Sequence, residues 1–122
     1  MPKPEFEFFD VAAVPWTRVP GDATGLTERI LAHDRESGVA TRMLRFPPGA
    51  DTSPNGTVTH DFWEEVYILE GSLHDLELGQ TFTAGQYACR PPGMRHGPWR
   101  AENGCITFEV RYYGVPRHAD QP

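Results

Sequence analysis

Residues 60–71 read HDFWEEVYILEG, and residues 85–96 read GQYACRPPGMRH. In each stretch a short strand-type run adjoins a Gly or Pro-Gly turn, which is typical of β-rich proteins. Beside these turns lie side chains of the kind that ligate metals: His60 and Glu64, four residues apart, and His96. A barrel can direct such side chains from distant strands to one interior point. The two stretches therefore indicate a β-barrel with a site inside it.

The rest of the chain repeats this alternation of short runs and turns. Leu26–His33 is the best helical candidate, although it is as easily a strand, and we predict no helix longer than a turn or two. The pattern predicts an all-β sandwich or barrel. The predicted strands are Val39–Phe46, Glu64–Leu69, Leu73–Leu78, Thr81–Thr83, Gln86–Arg90 and the alternating segment 105–112.

A chain of 122 residues is long enough for one domain with a single core. We predict an N-terminal arm over residues 1–20, a barrel over 21–115 and a flexible tail over 116–122. The arm is punctuated by prolines, and its aromatic residues would let it pack on the body or on a second subunit. These aromatic residues are Phe6, Phe8, Phe9 and Trp16.

The charge balance limits the class of partner. Seventeen acidic residues against 11 basic ones give a formal net charge of -6, which argues against binding to nucleic acid or to an anionic membrane. We find no apolar run near the ~20 residues of a membrane span and no secretion signal, so we expect a cytoplasmic protein. Cys89 and Cys105 form no CxxC motif, and we expect two reduced thiols.

Two imidazoles and one carboxylate are ligands that suit iron, manganese, nickel or zinc, and they leave coordination positions open for substrate or dioxygen. His60, Glu64 and His96 are side chains of this kind, and they are the candidates for such a site. Other catalytic patterns find no support, because the chain has neither a GxSxG nucleophile motif nor a glycine-rich phosphate loop.

At these two stretches the sequence resembles the cupins, whose first motif is G-x5-H-x-H-x3-4-E-x6-G and whose second is G-x5-P-x-G-x2-H-x3-N. His60, Glu64 and Gly71 match the first motif, while Val58 stands where its first metal-binding His would be. The second motif is matched at its full spacing except that Arg100 replaces its Asn. Its matching residues are Gly85, Pro91, Gly93 and His96.

Within the cupins, the chain looks closest to the ChrR type, near the dihydroxyacetophenone dioxygenase and acetylacetone dioxygenase groups. This resemblance covers residues 26–113 and rests on the phrases FPPGA at 46–50, EVYILEG at 65–71 and GC at 104–105. It implies a single jelly-roll barrel of two antiparallel sheets, usually a homodimer, with a divalent metal inside.

The leading expectation for function is a non-haem Fe(II) dioxygenase that cleaves a small diketone or aryl ketone, although Zn, Mn or Ni could take the place of iron. One alternative is a non-oxidative enzyme in which the metal acts as a Lewis acid for isomerisation, cyclisation, hydration or lyase chemistry. The other is a ligand-binding or sensor cupin, as in the ChrR-type anti-sigma factors. The missing imidazole at Val58 either admits substrate or weakens the metal site.

Further residues near the motifs are candidates for catalysis or for a substrate pocket. His74 shares strand parity with Leu76 and Leu78, so it could point inward and replace the missing ligand or act as an acid or base, unless it is a satisfied core or surface histidine. One of Arg90, Arg95 and Arg100 could bind a substrate carboxylate, or all three could lie on the surface. Residues that could line a pocket, rather than only pack in the core, are Val58, Phe62, Trp63, Tyr67 and Trp99.

Overall fold

The computed structural model describes residues 2–114, so the predicted tail at 116–122 lies outside the described residues. Over this range the chain forms nine β-strands and two 3₁₀ helices of three residues, Val11–Ala13 and Ser53–Asn55. The predicted all-β class is confirmed, and the ambiguous segment Leu26–His33 forms a strand from Thr27 onward. The strands are β1 (Thr17–Arg18), β2 (Thr27–His33), β3 (Ala40–Phe46), β4 (Ala50–Asp51), β5 (Trp63–Asp75), β6 (Gln80–Thr83), β7 (Tyr87–Arg90), β8 (Trp99–Ala101) and β9 (Cys105–Tyr112).

The strands form two antiparallel sheets that β5 joins. Its first half pairs with β9 and β7, and β9 continues through β3 and β2 to β1. Its second half pairs with β6 and β8, and β8 pairs with β4. This arrangement is the predicted barrel of two antiparallel sheets.

The length of β5 differs from the sequence prediction, which placed two strands, Glu64–Leu69 and Leu73–Leu78, around a turn at Gly71. The chain instead passes through Gly71 as one strand of 13 residues, with a shift in register between Ile68 and Glu70. Gly71 has φ 78°, and a Cβ atom there would lie 2.1 Å from the carbonyl oxygen of Gly104. Glycine is thus required by close packing between strands rather than by a turn.

The interior of the barrel has an apolar end and a charged end. Phe46 on β3 lies opposite Cys105 on β9, and both are buried in the apolar core with Leu44 and Ile68. Further along the same strands, Arg42 lies opposite Glu109, and Glu64 on β5 lies opposite Arg111. Directly opposed residues of an antiparallel pair share a face, so the inward side chains change from apolar to charged along each strand. The charged end contains the candidate site.

The outer face of β9 carries the apolar half of its alternating pattern, including Ile106 and Phe108, while Thr107 and Glu109 are buried inside. Part of the predicted arm contacts the same sheet: β1 pairs with β2, and the Trp16 ring lies under the guanidinium groups of Arg29 and Arg45. Phe6, Phe8 and Phe9 are exposed. Among the described residues, no helix is long and apolar enough to cross a membrane.

Candidate metal centre

His60, Glu64 and His96 meet at the charged end of the barrel. One potential ligand atom from each of the three lies within 4.8 Å of the others. The Nε2 atom of His96 is 3.9 Å from Oε1 of Glu64, and the His60 and His96 ring centroids are 4.9 Å apart. Glu64 and His96 are buried and His60 is half-buried. Residues that are far apart in the sequence are therefore brought to one interior point, as their motif spacing predicted.

Backbone hydrogen bonds dock the two motif stretches against each other. The Val58 N–H donates to the carbonyl of His96 (2.9 Å), and the His96 N–H donates back to the carbonyl of Val58 (3.0 Å). The Gly93 N–H donates to the carbonyl of His60 (2.8 Å), and Gly93 has φ 84°, a left-handed conformation that glycine adopts without a Cβ clash. The position of His96 beside His60 is therefore fixed by the backbone.

His96 is held as a neutral imidazole. Its Nδ1–H donates to the carbonyl of Met94 at 3.1 Å, which leaves the Nε2 lone pair on the side of Glu64. Burial, together with the charge of Arg90, lowers the pKa of His96 to about 4. A neutral ring with its other nitrogen hydrogen-bonded to a carbonyl is the usual state of a metal-ligating histidine.

His60 shares this electrostatic environment. Burial lowers its pKa below the ordinary value, and the positive charge of Arg111 acts in the same direction. Its ring stacks on Phe62 with centroids 4.4 Å apart and an interplanar angle of 11°. Phe62 therefore supports a ligand-type residue, and Arg111 lies over the Phe62 ring at 4.8 Å.

Glu64 is a buried carboxylate with a cationic partner. Burial raises its pKa, and the negative charge of Glu109 raises it further, while Arg90 and Arg42 act in the opposite direction. Arg90 Nη1 donates to Oε1 of Glu64 at 3.1 Å. This is the same oxygen that lies nearest His96, so Arg90 holds the atom that a metal would also contact.

Next to the three candidate ligands is an ion-pair network that the sequence analysis did not single out. Arg42 lies between two buried carboxylates, with Nη1 2.7 Å from Glu28 and Nη2 2.9 Å from Glu109. Burial alone would raise the pKa of Glu109, but Arg42 and the hydroxyl of Thr107 hold it below its ordinary value. The sequence feature that could have indicated this network is the alternation in β9, where Thr107, Glu109 and Arg111 occupy alternate positions and so share one face of the strand.

Two adjoining cavities open beside the group. The smaller, of about 150 Å³, is lined by His60, Glu64 and His96 together with Val58 and Trp99. The larger, of about 330 Å³, is mostly apolar, and it shares a set of lining residues with the smaller one. The shared lining residues are Val66, Leu73, Arg90, His96 and Trp99.

The predicted pocket residues do not all lie at these cavities. Val58 and Trp99 line the smaller one, and Phe62 stacks behind His60. Tyr67 is exposed, because it alternates with the buried residues Val66 and Ile68 and faces the outside of the barrel. Trp63 is the remaining candidate, and its ring is parallel to that of Tyr112 with the two centroids 6.5 Å apart.

His74 is not brought into the group, because Leu76 and Leu78, with which it shares parity, lie in the turn after β5 and not on the strand. The register shift in β5 reverses the alternation, so Leu73 and Asp75 are the buried residues in this half of the strand. His74 points to the other side, where its Nδ1 lies 2.9 Å from Oγ1 of Thr81. It therefore gives no ligand to replace the imidazole that Val58 lacks.

Of the three candidate arginines, only Arg90 reaches the candidate ligands. Arg95 is exposed and lies 3.8 Å from Glu77, at the outer part of the larger cavity. Arg100 is exposed and lies 3.5 Å from Asp51.

The donor set fits a divalent transition metal in residue type, burial and protonation state. Atoms that share one ion at ~2.1 Å lie about 3 Å apart, so these side chains would need to close by roughly 1–2 Å on binding. Two imidazoles and one carboxylate also leave positions open for other ligands.

A barrel of two antiparallel sheets that carries a His-His-Glu group inside it defines a cupin-type protein. The chain belongs to the family described as ChrR Cupin-like domain, whose model matches residues 5–112. A comparison with curated protein sequences finds no significant match.

Solved structures share the fold at low sequence identity. A putative acetylacetone dioxygenase from Methylibium petroleiphilum is 18% identical, with a TM-score of 0.70 over 93% of this chain and 84% of that one. The polyketide cyclase RemF from Streptomyces resistomycificus is 20% identical, with a TM-score of 0.68 over 88% and 79%. The anti-sigma factor ChrR of Rhodobacter sphaeroides, solved in complex with SigE, is 23% identical, with a TM-score of 0.59 over 80% and 49%.

Proposed function

We propose that this protein is a metal-dependent cupin enzyme, a non-haem Fe(II) dioxygenase that acts on a small diketone or aryl ketone. The observation that carries the proposal is the convergence of His60, Glu64 and His96, whose ligand atoms lie within 4.8 Å of one another beside a cavity. The similarity of the fold to a putative acetylacetone dioxygenase supports the choice of reaction.

The roles of the residues follow from their environment. Iron(II) held by His60, Glu64 and His96 would supply dioxygen chemistry and Lewis acidity toward a substrate carbonyl. The two histidines offer neutral lone pairs, because burial lowers their pKa values. Arg90 compensates the buried charge of Glu64, and the apolar side chains of the larger cavity bind the carbon skeleton and exclude water.

A second candidate is a non-oxidative enzyme in which the same three residues hold a Lewis-acidic metal. The fold similarity to a polyketide cyclase favours this alternative. A third is a ligand-binding cupin, favoured by the similarity to an anti-sigma factor. Turnover under argon would support the second candidate, and a ligand-induced rise in melting temperature without turnover would support the third. The proposal also includes a cytoplasmic homodimer, which light scattering in solution tests for the oligomeric state.

The metal site is tested by measuring the metal content and metal affinity of four variants. We expect His60→Ala, Glu64→Ala and His96→Ala each to weaken binding of Fe(II) or Zn(II) by at least about tenfold, because each removes one ligand. His74→Ala is the matched control and should leave affinity unchanged, because His74 faces away from the group. Equal metal binding by all four variants and the wild type would refute the site.

The reaction is tested with an oxygen electrode on the Fe(II)-loaded protein. A panel of β-diketones and hydroxyaryl ketones should produce substrate-dependent oxygen uptake in the wild type and in His74→Ala but not in His96→Ala. Stoichiometric metal without oxygen uptake across the panel would overturn the dioxygenase assignment and leave the non-oxidative candidates.

A further inference from the structure

The larger cavity beside the candidate metal centre has an apolar body and an apolar entrance. Its volume is about 330 Å³, and its apolar wall includes Ile68, Leu73 and Phe82. Leu78 and Met94 also line it and remain 64% and 46% exposed. Large exposed apolar side chains at the mouth of a cavity gain stability when an apolar ligand covers them.

Arg90 supplies the cavity with a positive charge at its inner end. The side chain is only 16% exposed, and it lines both the larger cavity and the smaller one that contains the candidate ligands. Its Nη1 is bonded to Glu64, and its guanidinium lies 5.3 Å from the centroid of the Trp99 ring. A guanidinium carries five N–H donors, and within residues 2–114 no group accepts a hydrogen bond from Arg90 Nε or Nη2.

The acidic residues that line the same cavity already have partners. Asp75 accepts hydrogen bonds from the backbone N–H groups of Glu77 (3.0 Å) and Leu78 (2.9 Å). Glu77 lies 3.8 Å from Arg95 at the solvent side. Arg90 is therefore the charged group in the inner wall that retains donors for a ligand.

We propose that this cavity binds a small apolar carboxylate, with its anionic head at Arg90 and its apolar body extending toward Leu78 and Met94. A cavity of ~150 Å³ holds one benzene molecule. The observed volume of about 330 Å³ therefore suits one ring with a short chain. The inference rests on the proposed function in one respect, namely that the ketone substrate of that site also carries a carboxylate, which binds Arg90 beside His96.

The inference is tested by calorimetric titration with hydrocinnamate and with its neutral isostere hydrocinnamamide, on the metal-free protein and on the Zn(II)-loaded protein. We expect the wild type to prefer the carboxylate by at least about tenfold, because a charge-assisted hydrogen bond inside a cavity is stronger than a neutral one. Arg90→Gln should abolish this preference and change the affinity for the amide by less than twofold. Arg90→Lys should retain part of the preference, since it keeps the charge but loses the fork of donors.

Arg95→Gln is the matched control, because Arg95 lines the same cavity at its exposed rim and should leave the preference intact. Leu78→Asn should weaken the carboxylate and the amide equally, because it removes apolar surface at the entrance. Equal binding of both ligands by the wild type, or no binding of either by folded protein, would overturn the inference. An equal loss in Arg90→Gln and Arg95→Gln would do the same.

The outcomes separate this inference from the proposed function. Carboxylate preference that depends on Arg90 in a protein without oxygen uptake would support the cavity assignment and remove the dioxygenase. Oxygen uptake with neutral diketones and no carboxylate preference would support the dioxygenase and remove the cavity assignment.

Discussion

Replacing Arg42 with Met tests whether the charged end of the barrel depends on its ion pairs. The Arg42 guanidinium contacts Glu28 at 2.7 Å and Glu109 at 2.9 Å, and the three side chains are only 14%, 8% and 8% exposed. Methionine keeps much of the volume of the side chain but leaves two buried carboxylates without their cation. Removing one partner of a buried ion pair costs about 3–5 kcal/mol, which is a large part of the ~5–15 kcal/mol that stabilises a domain.

The pH dependence of this loss of stability follows from the pKa of Glu109. In the wild type its pKa lies below the ordinary value despite burial, because Arg42 is present. The ionised carboxylate then contributes stability above the unfolded-state pKa, and this contribution disappears as pH falls through the folded-state value. In Arg42→Met, burial is no longer opposed by Arg42, so the pKa of Glu109 should rise above the unfolded-state value. The destabilisation should therefore be greatest at neutral pH and smaller near pH 5.

Thermal unfolding followed by circular dichroism at about pH 7 and pH 5 measures both effects. We expect a melting temperature roughly 10–20 °C below that of the wild type at neutral pH. Arg45→Met is the control, since Arg45 lies on the outer face of the same strand over Trp16 and should cost less than about 1 kcal/mol. Replacing Glu28 and Glu109 with Leu in the Arg42→Met background should recover most of the loss. Similar stability of Arg42→Met and Arg45→Met, or a larger loss at the lower pH, would refute this reasoning.

Three further changes test the backbone, the metal site and the thiols. Gly71→Ala should destabilise the protein by at least about 2 kcal/mol more than Gly79→Ala in chemical unfolding. Both positions have positive φ, but only a Cβ at Gly71 would lie 2.1 Å from a carbonyl oxygen, that of Gly104. Equal losses of stability would contradict the close packing at Gly71. Val58→His should tighten Zn(II) binding by about tenfold or more in a competition titration, because Val58 lines the cavity of the candidate ligands. An unchanged affinity would show that the new imidazole does not reach the ion. Burial raises the pKa of Cys105 to about 12, so its thiol should not react in the native protein. A thiol reagent should label only the exposed Cys89 in the native protein and both cysteines after denaturation. Rapid labelling of Cys105 in the native protein would contradict its burial.

The barrel and the convergence of its candidate ligands were predictable from the sequence where spacing is coupled to strand geometry. His60 and His96 stand beside the segments whose backbones pair, and the mutual hydrogen bonds of Val58 and His96 complete that docking. A motif of this kind specifies a backbone path as well as ligand types. The sequence therefore predicted that the two histidines and Glu64 would converge.

His74 shows where parity arguments fail. The parity argument treated His74, Leu76 and Leu78 as one face of a strand, but β5 ends at Asp75 and residues 76–79 form a turn. The register shift between Ile68 and Glu70 in addition places His74 on the face opposite to that of Glu64. Tyr67 lies before the shift and was misplaced for another reason: it alternates with the buried residues Val66 and Ile68, and the sequence does not show which of the two faces is inside.

The charged interior was missed for a different reason. The alternation in β9 predicts a strand, yet it does not say which face is buried, and the usual expectation would place Ile106 and Phe108 inside. In the structure Phe46 lies opposite Cys105 in the buried core, and Thr107 and Glu109 share the face of Cys105 and lie inside with it. Glu109 is then opposite Arg42, a partner 67 positions away that no local pattern indicates.

The charge balance of the smaller cavity links its candidate metal to the carboxylate inferred for the larger one. Two acids and two arginines line it, Glu64, Glu109, Arg42 and Arg90, and its two histidines are held neutral by burial. A bound dication would leave an uncompensated charge of about two in a poorly solvated space, and an anionic ligand at Arg90 would offset part of it. Zn(II) should therefore raise the affinity for hydrocinnamate, and by linkage hydrocinnamate should raise the affinity for Zn(II) by the same factor, while the amide shows a weaker effect. If calorimetry shows that Zn(II) leaves carboxylate affinity unchanged or lowers it, the ion and the anion do not compensate each other's charge and this link between the two cavities is wrong.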